Sequence, residues 1–187
     1  MKKIMIAFAA VAITTFAQAA MVDWAFSSKN TIKTYSGGDG ANIAVYLLNT
    51  AGTDYAKTIS GLADGTVTTA NITTQGSYLG TGTTGSSGAK LGKASGQVTV
   101  ASPGVDYSMV FVYFENVGGK DYYYLSSAAT GKSYDGSAEY PSGTTVSWAS
   151  DAYSQSNWHE ATAVPEPTSG LLMLLGLAGL ALKRKRA

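Results

Sequence analysis

The chain has 187 residues, with 13 Lys and Arg against 12 Asp and Glu, a formal charge of +1 and no Cys. Disulfides are therefore excluded as a source of stability, and the length suits one domain with a core of its own. The 22 Gly, 12 Tyr and 3 Trp point to a chain built mainly from strands and turns.

The first 19 residues read as a signal peptide. Met1-Lys2-Lys3 is a short positive region, Ile4 to Ile13 is an apolar run, and Ala17 and Ala19 put small residues at the two positions a signal peptidase inspects. Cleavage is expected before Ala20. A retained anchor is the weaker alternative, because the apolar run is short and ends in a good cleavage site. Residues 20 to 164 then hold seven Lys, no Arg and eleven acids, a formal charge of −4. A mildly acidic region without Arg excludes a nucleic-acid partner, which needs a basic face.

Within the exported region, strands are expected at Val22 to Ser27, with Trp24 and Phe26 on one face, and at Thr31 to Tyr35, which could pair with it. Gly37 to Gly40 breaks the chain sharply. Asn42 to Asn49 is apolar on both faces and suits a buried central strand. One short helix is predicted near residues 54–63, where Tyr55, Ile59 and Leu62 fall at helical spacing after Thr53 as a candidate N-cap. A Thr-rich run, Thr66 to Thr74, and a Gly-rich loop, Gly76 to Gly96, lead to a strand at Gln97 to Ala101. Asp106 to Glu115 and Lys120 to Ser126 flank Asn116-Val117-Gly118-Gly119 as a hairpin. Tyr107, Met109, Phe111 and Tyr113 face one way there, and Val110, Val112 and Phe114 the other. A strand apolar on both faces needs cover on both, so the fold expected for residues 20–150 is a β-sandwich or jelly-roll. Thr144 to Ala149, with Trp148, would close it, and residues 151–163 read as a polar linker.

The last residues form a tail of three parts. Pro165 and Pro167 hold Val164-Pro165-Glu166-Pro167 extended and stop any helix entering from upstream. Gly170 to Leu182 carries no charge, and as a helix its 13 residues span about 20 Å. That is short of a ~30 Å hydrocarbon core, so the expected membrane segment, 168–182, recruits Thr168 and Ser169 and the stems of Lys183 and Arg184. Gly176 and Gly179 leave a patch where another membrane helix could approach. Lys183, Arg184, Lys185 and Arg186 form a basic stop, which with Lys2 and Lys3 places both termini in the cytoplasm and the middle outside.

The motif at 164–167, the apolar segment and the terminal basic cluster together resemble the PEP-CTERM sorting tail of Gram-negative bacteria that make exopolysaccharide. The resemblance covers residues 164–187 only. It implies recognition by exosortase, a membrane-embedded cysteine protease that cuts at or near Pro165-Glu166-Pro167, and possible transfer to an acceptor. The implied route is an inner-membrane-anchored precursor, then the cell surface or the extracellular space.

Other motif fragments read as structural. Gly80-Thr81-Gly82-Thr83-Thr84-Gly85 matches a dinucleotide fingerprint, but the residues after it will not start a stable helix. Gly131-Lys132-Ser133 resembles the end of a phosphate loop, yet Ser126 stands where its first glycine belongs. Gly37-Gly38-Asp39-Gly40 with Asn42 resembles one calcium-binding repeat unit and occurs once, leaving a single ion at Asp39 open. Asn71-Ile72-Thr73 fits a glycosylation sequon, which means little in a bacterial chain with such a tail. His159 reads as a solvated linker residue, and among Glu115, Glu139, Asp106 and Asp135 no spacing singles out a glycosidase pair. The expectation is thus a non-enzymatic protein with no cofactor and no metal, in a structural or adhesive role in an exopolysaccharide-rich envelope. A polysaccharide-acting hydrolase is the alternative, as is a carbohydrate-binding module using Tyr122, Tyr124 or Trp148. Core filling is the competing role for those three.

Overall fold

The structure is a computed structural model and describes residues 20–26, 31–135, 145–148 and 154–162. The signal peptide at 1–19, the sorting motif at 164–167, the membrane segment at 168–182 and the basic cluster at 183–186 lie outside these residues. Among the described residues no helix is long and apolar enough to cross a membrane.

Two sheets face each other. The first has β1 (Ala20–Phe26) at its centre, with antiparallel β4 (Ser95–Val100) on one side. On the other side β1 pairs antiparallel with β8 (Tyr134–Asp135) at its start and parallel with β9 (Val146–Trp148) at its end. The second sheet runs in the order β10 (Trp158–Glu160), β6 (Lys120–Leu125), β5 (Asp106–Val117), β2 (Ala44–Asn49), β3 (Tyr78–Thr83). In it β7 (Ala129–Lys132) continues the β6 side of β5, along Asp106 to Met109. The expected β-sandwich is therefore the fold.

The alternation along β5 decides the layering. Met109, Phe111 and Tyr113 enter the core between the sheets, with Trp24, Phe26, Leu47, Tyr124, Trp148 and Trp158. Val110 and Val112 point to the opposite face and join Leu48, Leu62, Val67, Ile72 and Tyr123 under α1 (Thr53–Ala63). The predicted helix therefore forms the third layer. Its cap position is Gly52, not Thr53, which is already the first helical residue. Thr58 is tolerated in the helix because its hydroxyl donates to the Asp54 carbonyl at 2.8 Å and sits 2.8 Å from the Ser77 hydroxyl.

Four further expectations are corrected. Thr31 to Tyr35 does not pair with β1, whose two sides are occupied by β4 and by β8 and β9. The Gly37 to Gly40 turn instead folds the chain back on itself, with Thr34 N–H donating to the Gly38 carbonyl at 2.8 Å and Gly40 N–H to the Ile32 carbonyl at 2.8 Å. Second, the Gly-rich stretch 76–96 contains β3. Its glycines are what lets the sheets close: a Cβ at Gly82 would lie 2.5 Å from the Trp24 ring, and one at Gly80 would lie 2.5 Å from Val98. The nucleotide-like spacing of Gly80 and Gly82 is explained by that approach. Third, β7 and β8 were not expected, and the first hairpin strand runs on to Val117; with β6 starting at Lys120 as expected, this leaves a two-residue Gly118-Gly119 turn at φ 62° and 82°. Finally, residues 158–160 of the expected linker are β10, paired with Tyr122 to Tyr124.

Candidate functional site

Of the three aromatic residues singled out as ligand contacts, two are core. Tyr124 is fully buried, and its hydroxyl accepts from Ser154 N–H at 3.0 Å and the Asn157 amide at 3.3 Å. Trp148 is 1% exposed and donates from Nε1 to the Ser127 carbonyl at 3.0 Å. With polar tips satisfied inside, neither offers a face to a ligand.

Tyr122 remains, half-buried and packed against the core between the sheets. Its ring leans on Tyr35, centroids 4.3 Å apart, and Tyr35 meets Trp158 edge-on at 5.6 Å. Register places Glu115 of β5 and Glu160 of β10 on either side of it. Three adjacent strands thus carry Glu115, Tyr122 and Glu160 in a row, with the two acidic backbones about 10 Å apart, two strand spacings. Both carboxylates already have partners. Glu115 accepts from Tyr35 N–H at 2.6 Å, and Glu160 is 2.9 Å from the Lys120 ammonium. The Tyr122 hydroxyl is held above its ordinary pKa, first by a hydrogen bond with Tyr35, then by desolvation and the Glu160 charge. Lys120 is likewise raised, chiefly by its hydrogen bond to Glu160.

His159 lies on the other face of β10, exposed and stacked on Tyr123 with centroids 5.1 Å apart. Asp39 pairs with Lys33 across the turn, which answers its charge. Asp106 and Asp135 sit at strand starts or ends, and Glu139 lies outside the described residues. Asp23, which composition gave no reason to single out, is buried on the outer face of β1. It accepts from the Tyr134 hydroxyl at 2.9 Å and the Gln97 amide at 3.1 Å, a satisfied structural cluster.

The other functional feature is the place where the chain leaves the domain. After β10, Ala161 N–H donates to the Asp121 carbonyl at 2.8 Å and Thr162 N–H to the Ala63 carbonyl at 3.1 Å. Thr162 is therefore tied to the end of α1, two residues before Val164. The tie is firm, because upstream Trp158 packs edge-on against Tyr113 at 5.0 Å and Tyr124 at 5.5 Å. Removing a buried Trp from such a setting costs about 3–5 kcal/mol. Beside the exit lies a concavity of about 280 Å³ lined by Val67 to Thr69, Phe114 to Asn116, Asp121 and Ala161. Sequence reasoning missed it, since its lining comes from four separate segments.

Residues 163–186 match the family model of the PEP-CTERM protein-sorting motif. No curated protein and no solved structure matches the chain. The match takes in the Pro-Glu-Pro, apolar and basic parts read from the sequence. The chain thus ends in the sorting motif of an exported, exosortase-targeted protein, carried behind a β-sandwich.

Proposed function

We propose that the protein is a non-catalytic structural and adhesive component of an exopolysaccharide-rich envelope, delivered there by its tail. The observation that carries this reading is the sorting motif at residues 163–186, which begins directly after a domain closed by its last strand. The packing supports it: Trp24, Trp148, Trp158, Tyr113 and Tyr124 are buried and give the domain rigidity. Tyr122 with Tyr35 supplies an apolar ring surface next to the hydrogen-bonding groups of Glu160 and Lys120, a combination suited to a sugar ring. Tyr122→Ala is expected to weaken retention of the mature protein by cell-bound polysaccharide while leaving its processing intact. Unchanged retention would remove the sugar contact from the proposal.

The row Glu115, Tyr122, Glu160 favours a second reading, a polysaccharide hydrolase with its carboxylates on β5 and β10. Release of reducing ends from the envelope polysaccharide by the purified protein, abolished in Glu160→Gln, would establish it in place of the first.

A further inference from the structure

The distance between the last fixed residue and the sorting motif sets a condition on the protease. Thr162 is held by the Ala63 carbonyl. A fully extended chain covers at most about 3.6 Å per residue, so Pro165 can lie no more than about 11 Å from Thr162, and Pro167 about 18 Å. That is less than the depth of two packed sheet layers at ~10 Å each. A protease that closes around Pro165-Glu166-Pro167 must then either touch the folded domain or peel β10 away. Peeling would withdraw Trp158 from Tyr35, Tyr113 and Tyr124 and break the Lys120–Glu160 pair. Touching the domain needs no such loss.

We infer that the surface around the chain exit, the concavity lined by Thr69, Phe114, Glu115, Asn116 and Asp121, is the docking surface for an exported loop of the sorting protease. This rests on the sorting reading above. The surface has the chemistry of a protein contact: apolar Val67, Phe114 and Ala161, the Thr68 and Thr69 hydroxyls, and two acidic residues, Glu115, which accepts from Tyr35 N–H, and Asp121, which accepts from the Asn116 amide at 2.7 Å. Asp64 adds a third acidic residue at the end of α1, beside the exit. An acidic surface is repelled by anionic lipid headgroups, and the tether from Thr162 keeps the cut site within about 18 Å, so the occupant is the protease that takes the motif and not the bilayer.

The test follows conversion of the full-length precursor in cells that contain the protease, at two tether lengths. Thr69→Trp fills the concavity and Asn116→Arg reverses its charge preference. Each is expected to slow conversion about fivefold or more in the native chain, the scale set by loss of one well-placed contact. With 12 Gly/Ser residues inserted between Thr162 and Ala163, a tether adding roughly 19 Å of mean reach, the same substitutions should have no effect. An equal effect at both lengths, or none at native length, overturns the docking surface. A precursor that is never converted, even without substitutions, overturns the sorting reading itself.

Discussion

Replacing Gly82 by Ala tests whether the glycines of β3 serve sheet closure. In a strand, Ala in place of Gly ordinarily gains about 0.5–1 kcal/mol from reduced freedom of the unfolded chain. Here the new methyl would sit 2.5 and 2.6 Å from two carbons of the Trp24 indole, which is 1% exposed. Gly96 constrains the same ring from β4, where a Cβ would lie 3.0 Å from its Nε1, so the indole has little room to retreat. Overpacking of this kind costs about 1–3 kcal/mol, which outweighs the gain. The net loss of about 1–2 kcal/mol should lower the midpoint of thermal unfolding by roughly 2–8 °C for a domain of this size. Trp24→Phe in the same background should recover much of it, because the smaller ring clears the methyl. It also removes an indole N–H that is buried without a hydrogen-bond partner among the described residues. Circular dichroism on the four members of this cycle gives the coupling, expected at about 1 kcal/mol or more. A Gly82→Ala protein as stable as the parent, or more stable, would refute the packing argument.

Asp64 is held below the ordinary carboxylate range, first by the Thr66 hydroxyl and then by the Thr66 N–H. A carboxylate depressed in the folded state stabilises above its unfolded pKa, and that contribution is lost as pH falls through the lower folded value. Thr66→Val should move the Asp64 titration upward, read by carboxyl NMR; an Asp64 already titrating at the ordinary value in the parent would contradict the geometry. At the β5–β6 turn, Gly118 and Gly119 both have positive φ, so Gly119→Val should cost about 1–2 kcal/mol in urea unfolding. An unchanged midpoint would argue against the two-residue turn.

The parts of the fold that could be read in advance are those where one side-chain period decides the outcome. β5 alternates apolar residues on both faces, and both faces are covered, one by a sheet and one by α1. The tail was legible for a different reason: three chemically distinct parts in fixed order carry the signal without any tertiary context. β3 was not legible, because Gly80 and Gly82 acquire meaning only from Val98 and Trp24 across the sandwich. β10 was hidden by composition. It is an edge strand of three residues in which only Trp158 is buried, so His159 and Glu160 made the segment read as a linker. That misreading also concealed how few residues separate the last strand from the sorting motif in the sequence. Tyr124 and Trp148 show the limit of reading aromatic residues as ligand platforms, since their polar tips find partners inside.

The account rests on a rigid exported sandwich whose tail is removed during sorting. Intact-mass measurement of the protein recovered from the cell surface, with C-terminal peptide mapping, tests this most directly. The predicted product starts at Ala20 and lacks the residues after about 167, the apolar segment and the Lys183 to Arg186 cluster among them. Recovery of surface protein that still ends in Arg184-Lys185-Arg186-Ala187 would contradict it.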